Sequence, residues 1–554
     1  SIPLYVSYHQ RGEIRLAQGD SMGALQDFGK SLDLARRWRL ELIPSDSVRT
    51  GTDVGLHEIF CSFIDVGNRL YFEDHNAALA GRTLAAEEES RAASLREKRA
   101  EGGGAQRRLP KEYWAKLAEL RKAESPSDAA CTPALIEKKE HLRLELTEME
   151  SAVGLPTFPI SRSDNENIPS RNSPIDFRRQ LGDSEAFLSF HLGERNSYLW
   201  AVTRRQLHLY RLGNRLRLAA QAVQFAAAVR KGLPEAEIRG SELYRALFSR
   251  LDSEVLSKQH WLLALDDALF EAPLAAIVVG HKDTKPVYLI ERHSIQLVPS
   301  ALLLSSDDRR APLGRFVGIG DAIYNTADPR WRTEQVEGSK GFFTLFPRLE
   351  ATPQRNITQL GRLVSSGPEI QACARAVDRA GARPAPIVLS GTAATFGNFR
   401  RALSPAPGVI HLATHMLELG DGEPRIALSL RQSGLEMVSA TDVSMLRIPG
   451  SLVVMSGCSS GAGKILPGAG LLGLSRAWLA AGASGVVASH WPTPDDTGEL
   501  FQSFYRRTWG VQDGRSVGGA AEALREAQLD MLRSGGWRAA PRYWAAYFAI
   551  GGTR

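Results

Sequence analysis

The sequence predicts an α/β protein: a mostly parallel sheet flanked by helices, preceded by an all-α region. Three observations carry that expectation. Beyond about residue 181, short apolar runs alternate with amphipathic helical segments, the texture of a sheet covered on both faces. Before residue 153, apolar residues recur at helical spacing. Between them, GLPTFPISRSDNENIPSRNSPIDF is polar and interrupted by proline, so 154–180 reads as a linker or surface loop. Three regions follow: 1–153 helical, 154–180 connecting, and 181–554 α/β.

Composition excludes several classes. The 554 residues are 43% hydrophobic and 23% charged, enough apolar surface for packed cores and too much for disorder throughout. The 50 glycines show no triplet period. The four cysteines, Cys61, Cys131, Cys373 and Cys458, are scattered without a CxxC pair. A disulfide scaffold and a clustered zinc site are therefore not expected, and no cofactor is implied. Unpaired thiols suit a reducing compartment, which makes the expected location cytoplasmic. The longest apolar stretch, Trp261 to Val279, contains Asp266, Asp267 and Glu271, so no membrane span is expected. A net charge of +6 spread over this length does not define a nucleic-acid face. The chain opens on SIPLYVSYHQRGE, without the pattern of a secretory signal and without Met, so residue 1 is expected to lie inside a longer chain.

The first helical segments are RGEIRLAQGDSMGALQDFGKSLDLARRW, with Gly19-Asp20 as the turn between two antiparallel helices. Gly19-Asp20, Ala24-Leu25, Phe28 and Leu32 resemble a tetratricopeptide repeat. Stacked repeats cover one another's apolar faces, so one clear copy suggests neighbours upstream. Residues 76–104 read as one long helix ending at Gly102-Gly103-Gly104. YWAKLAELRKAE and ALIEKKEHLRLELTEMESAV then form a helical hairpin.

In the α/β region the expected strands are AFLSFHL, SYLWAVT, LHLYRL, WLLALDD, VYLIERHSIQLVPS, RFVGIGDA, PAPIVLS, GVIHLATH, SLVVMSGC, SGVVASHW and YWAAYFAIG. Between them, LRLAAQAVQFAAAVRKG, PEIQACARAVDRAG, GLLGLSRAWLAAG and AAEALREAQLDMLR are helical, and 325–368 is an irregular excursion. Three of the strands carry the chemistry. GVIHLATH ends at His415, SLVVMSGC at Cys458, and SGVVASHW is followed by Pro492-Thr493-Pro494-Asp495-Asp496. In an open parallel sheet the functional crevice lies beyond the carboxyl ends of the strands, so these groups emerge at one edge. A thiol beside an imidazole is a nucleophile beside its base. Main-chain N–H groups in the small turn Gly457-Cys458-Ser459-Ser460-Gly461 suit an oxyanion. The plainer reading of Cys458 is a buried small hydrophobe.

VIHLATH, LVVMSGCSSGAG, GAGLLGLSRAWLAAGASGVVASHWPTPDD, AEALREAQLDML and YWAAYFAIG together resemble the CHAT domain, a caspase- and separase-related cysteine protease family. Upstream pieces, among them SFHLGERNSYLWAVTRRQLHLYRL and WLLALDDALFEAPLAAIVVG, extend the resemblance to 181–554. It implies a caspase-like fold with an N-terminal pseudo-half at about 181–330 and a catalytic half at about 380–554. It implies a cysteine endopeptidase in which Cys458 is the nucleophile and His415 the general base. His411 matches a structural histidine of the same strand. The oxyanion hole uses the backbone N–H at Met416, with Gly457 and Cys458 beside it. The family carries Gly where Met416 stands; this departure and the irregular 325–368 segment motivate an alternative reading: a catalytically weak interaction scaffold.

The resemblance also implies cleavage after a basic residue held by an acid in the loop after the third strand, Asp495 or Asp496. Helix capping alone accounts for Thr493-Pro494-Asp495-Asp496 too, as N-cap, first-turn Pro and first-turn acids. It implies a protein substrate, with gasdermin-like proteins among the family's substrates. A regulatory protein or ribonucleoprotein partner would bind the helical repeats, in the setting of prokaryotic defence. Other chemistries fail on spacing. His411 and His415 lack the central Glu of a zinc HExxH, Gly461-Ala462-Gly463-Lys464 lacks the phosphate-loop frame, and no GxSxG is present. His490 reads as a structural histidine at a strand end.

Overall fold

A computed structural model describes residues 4–41, 46–100, 176–304, 314–334, 360–379, 384–418, 424–432, 434–457, 473–494, 498–509 and 519–552, with short pieces at 112–149, 465–471 and 511–516. Two compact units divide the chain: residues 1–306 with 464–472, and residues 307–463 with 473–554. The expected α/β class with a helical N-terminal region is what the fold contains.

The first unit begins with helices α1 (Leu4–Ala17), α2 (Ser21–Glu41), α3 (Asp46–Asp74), α4 (Ala77–Ser90) and α5 (Ala93–Ala100). The Gly-Asp turn falls where expected. Gly19 takes φ +85, and Asp20 accepts from the Gly23 N–H at 2.8 Å. Gly12 lets α1 close on α2, since a Cβ there would lie 2.6 Å from the Phe28 ring. Phe28, Leu25 and Leu32 join Phe63, Ile64 and Leu84 in one buried cluster. Each such side chain contributes about 1.5–3 kcal/mol by leaving water.

The expected long helix at 76–104 is broken in two. Ala92 takes φ +47 at the break, and Arg91 is buried there. Its guanidinium donates to the carbonyls of Phe190 and Leu265 and pairs with Glu87 at 2.6 Å. Three buried acceptors outweigh continuation of the helix, a tertiary override that helical periodicity does not register. Among the described residues of the later hairpin, Tyr113, Leu120, Leu142 and Leu146 pack together, and Lys116 pairs with Glu145 at 2.7 Å.

The sheet of this unit holds β1 (Glu185–Leu192), β2 (Ser197–Val202), β3 (Leu207–Arg211), β4 (His260–Ala264) and β5 (Ser294–Leu297), in the order β3-β2-β1-β4-β5. β1, β4 and β5 are parallel; β2 and β3 are an antiparallel meander on β1. Helices α6 (Arg215–Lys231) and α7 (Ala236–Phe248) follow β3. Asn214 caps α6, and Gly232 ends it in the left-handed region. VYLIERHSIQLVPS, expected as one strand, divides into a strand end at Tyr288, a helical turn Leu289–Arg292 and β5. Glu291 accepts from the Tyr288 N–H at 2.7 Å and holds that turn.

The second unit contains β6 (Phe316–Ala322), β7 (Ile387–Gly391), β8 (Val409–Ala413), β12 (Leu452–Met455), β13 (Gly485–Ser489) and β14 (Tyr547–Gly551), in the order β14-β13-β12-β8-β6-β7. All neighbours are parallel except β13 and β14. β9 (Met416–Glu418), β10 (Pro424–Arg431) and β11 (Gly434–Ser439) form a separate antiparallel sheet. Every residue of β8 and β12 is buried, as central parallel strands covered on both faces require. Cover comes from α8 (Ser366–Arg379) on β6 and β8, α10 (Leu474–Ala480) on β13, α11 (Gly498–Trp509) on α8, and α12 (Ala520–Arg533) on β14; α9 (Phe396–Ala402) follows β7. YWAAYFAIG is only partly strand: Trp544 ends a helical turn, and β14 begins at Tyr547. No helix among the described residues is long and apolar enough to cross a membrane.

Candidate active site

Parallel order makes β6, β8, β12 and β13 run the same way, so their carboxyl ends share one edge. His415 leaves that edge two residues after β8. Its Nε2 lies 2.8 Å from the Gly361 carbonyl oxygen. A carbonyl only accepts, so Nε2 carries the proton and Nδ1 carries the lone pair. The Tyr324 ring meets the imidazole edge-on, with centroids 4.7 Å apart.

The segment that supplies this carbonyl is itself held. Arg362 places two nitrogens on the Asp321 carboxylate, at 2.8 and 3.1 Å, and Asn325 Nδ2 donates to the Leu360 carbonyl at 2.7 Å. Arg330 binds the same Asp321 at 2.8 Å and Asp328 at 2.6 Å. The Arg330 hydrogen bond outweighs desolvation and holds the Asp328 carboxyl below its ordinary value. Asp321, next to last in β6, takes φ +47. The sequence reads residues 325–368 as an irregular surface excursion. Their described parts converge on the imidazole, and no spacing pattern in the sequence announces that.

Gly457 follows β12 and meets the strand that carries the histidine. A Cβ on it would fall 2.2 Å from the Thr414 carbonyl oxygen, so only glycine fits. The Gly457 carbonyl accepts from Ser489 Oγ at 3.2 Å, which ties β12 to β13 at this edge. Met416 opens β9 and is buried, with its Cγ 3.3 Å from that same Cβ position. The Ala427 N–H donates to the His415 carbonyl at 2.9 Å, making 415 and 427 the hydrogen-bonded pair of the antiparallel ladder. Met416 and Ile426 are then a non-hydrogen-bonded pair, and β10 does not use the Met416 N–H. Cys458, Asp495 and Asp496 lie outside the described residues. Thr493, beside them, shares a hydrogen bond with the Tyr547 hydroxyl at 2.8 Å, and the described part of α11 begins at Gly498.

The other histidines of this unit are structural. His411 is fully buried, with Nε2 2.9 Å from Glu369 and Nδ1 2.7 Å from the Tyr505 hydroxyl. His490 sits among rings, 4.4 Å from Phe548 by centroid, and burial lowers its pKa to about 3. Cys373 is buried too. Desolvation first, and then Glu369, pushes its thiol well above the usual value, which leaves it unreactive.

A model of the CHAT domain matches residues 237–552. Tetratricopeptide repeat protein 28 of Homo sapiens is 34% identical over 116 residues, which is 21% of this chain and 4% of that protein. The Saccharomyces cerevisiae separase–securin complex is similar over 97% of this chain and 38% of that one, at 10% identity and a TM-score of 0.49. The Arg-specific cysteine proteinase gingipain R is similar over 60% of this chain and 73% of that one, at 10% identity and a TM-score of 0.35. The chain thus spans a small part of the human relative and well under half of the separase chain.

Proposed function

Because this chain belongs to the CHAT domain family, a cysteine-peptidase-like fold, we propose that it is a cysteine endopeptidase acting through a His415–Cys458 dyad. The observation that carries the reading is the 2.8 Å contact of His415 Nε2 with the Gly361 carbonyl oxygen. With Nε2–H spent on the Gly361 carbonyl, Nδ1 is free to act as base, and Gly457 packs on Thr414 one residue before Cys458.

In the proposed reaction His415 Nδ1 takes the Cys458 thiol proton, and the thiolate attacks the scissile carbonyl carbon. Negative charge collects on the carbonyl oxygen, where the N–H groups of Met416 and of the Gly457-Cys458 turn would donate to it. The C–N bond breaks as the imidazolium returns its proton to the leaving amine. Water then releases the acyl group. Asp495, or Asp496, would pair with Arg or Lys before the cut bond. A protein or ribonucleoprotein bound to the helical repeats would control access. Prokaryotic defence, with gasdermin-like substrates, is the setting that the family resemblance suggests.

The packing of the Met416 side chain against Gly457 favours the second reading, a weak or inactive scaffold, since a side chain now crowds the site. Profiling cleavage of a peptide library by the wild type and by Cys458→Ala separates the two. Products after Arg or Lys that vanish in the variant are expected. Products that persist, or a wild type that stays silent towards an electrophilic Arg-peptide probe in the presence of its partner, favour the scaffold.

A further inference from the structure

Between α12 and β14, residues Trp537–Ala539 and Pro541–Trp544 form short helical turns that the proposed reaction does not use. Strand direction fixes their place. β14 runs antiparallel to β13, with Tyr547 opposite Ser489, so the segment entering β14 stands at the carboxyl edge of β13. The His490 N–H donates to the Ala546 carbonyl at 2.8 Å, and the Trp491 indole donates to the Arg542 carbonyl at 3.0 Å. His490 and Trp491 lead directly into the loop that carries Asp495 and Asp496. The side chains of these turns interleave rings with guanidiniums. Trp537 is 54% exposed, and the Tyr543 ring meets it edge-on with centroids 4.7 Å apart. Arg538 lies over the Trp537 ring at 4.7 Å, and Arg542 over the Tyr543 ring at 4.6 Å. Arg538 also pairs with Glu499 at 3.0 Å. Arg542 is exposed, donates to the Tyr543 hydroxyl and pairs with no carboxylate among the described residues.

We propose that this patch is an exosite that docks an acidic segment of the protein cut at the His415–Cys458 site; the choice of occupant rests on the peptidase reading. Trp, Tyr and Arg are the residues that concentrate binding energy at protein interfaces, and here they stand together in water. The charge selects the partner. The Arg542 guanidinium is held against a ring and has no anion, and Arg538 beside it already takes a carboxylate. Trp537 and Tyr543 offer rigid apolar surface to the side chains that flank the docked acid. A single-stranded nucleic acid fits less well. Its backbone needs a continuous cationic groove, and Glu499 stands exposed at the rim. Docking at the edge that carries the proposed site makes engagement of the scissile bond effectively intramolecular.

Two measurements on the full chain separate the exosite from the peptidase. In the chain carrying Cys458→Ala, a short fluorescein-labelled peptide of Glu and Phe is titrated by anisotropy, beside a Lys and Phe peptide and oligo(dT). Saturable, salt-sensitive binding of the acidic peptide is expected, and Trp537→Ala or Arg542→Glu should weaken it by at least about 10-fold. Trp537 is exposed, and Arg542→Glu keeps the main-chain carbonyl that Trp491 uses, so neither change removes a described core contact. With Cys458 intact, an Arg-centred peptide is cleaved with and without a Glu-Phe extension, and the two kcat/KM values are compared. A ratio of about 10 is expected, falling to about one in Arg542→Glu. Cleavage with a parent ratio near one, or binding that both variants leave unchanged, overturns the exosite and leaves the peptidase standing. Oligo(dT) binding tighter than that of the acidic peptide overturns it in favour of a nucleic-acid surface. Acidic-peptide binding that both variants abolish, with neither peptide cut, sustains the docking surface and sinks the peptidase reading instead.

Discussion

The end of β1 in the first unit and the end of β8 in the second both present an imidazole at the carboxyl edge of parallel strands, and the two are backed differently. His191 leans on the Glu87 carboxylate and is sealed from solvent; His415 leans on a neutral carbonyl and is partly open. A carboxylate behind a ring favours the imidazolium or a bound metal ion, whereas a carbonyl fixes the tautomer without adding charge. His411, with Glu369, follows the first pattern; His490, among rings, follows neither and stays neutral. The group behind the ring and its access to water therefore separate the anchoring histidines from the one proposed as the base. Strand position does not.

The largest effect expected from this contrast is at the proposed catalytic end. Cys458→Ala should cut peptide cleavage by about 10⁴-fold or more, read as kcat/KM, with a melting temperature near that of the parent. At the anchoring end, Arg91→Met leaves Glu87 and Glu88 buried without their cation. Denaturant unfolding should show a loss of about 3–5 kcal/mol. A variant as stable as the parent would mean that the first unit does not depend on this network.

The neutral histidine gives a pH signature. Its folded pKa of about 3 lies below the unfolded value of 6.5, so its contribution is present above pH 6.5 and fades as pH falls towards 3. The loss is on the order of 5 kcal/mol. His490→Phe should flatten unfolding curves across that window, and an unchanged pH dependence would assign the acid sensitivity elsewhere. Next, Asp321→Asn should loosen the Gly361 carbonyl behind His415. A fall in kcat of about 10-fold is expected, with KM held and the acid limb of the pH–rate profile displaced. A change in KM alone would make Asp321 a merely structural residue. The smallest effect is at Met416→Gly, where relief of crowding should raise kcat/KM a few-fold. A drop there would show that the methionine shapes the site.

Much of this was legible in the residues. The all-buried strands VIHLA and LVVM betray themselves by continuous apolar runs, and parallel order then brings the neighbourhoods of His415 and Gly457 to one edge. Gly19-Asp20 marks its turn because only a few residues tolerate that backbone. The break at Arg91 was not legible, since its cause is a pair of carbonyls about a hundred and more positions away. The support behind His415 was hidden for a similar reason: a main-chain oxygen at Gly361 has no sequence signature. The His191–Glu87 contact was hidden as well, since 104 positions separate its partners.

The close approach at Gly457 has a further consequence. The gap between the backbone that precedes the proposed nucleophile and the backbone that precedes the base is narrower than a single methyl group. Two rails set that tightly cannot be eased apart by degrees. Any adduct, insertion or larger residue at this point must derail the crossing, so reactivity here should be inherited whole or lost whole.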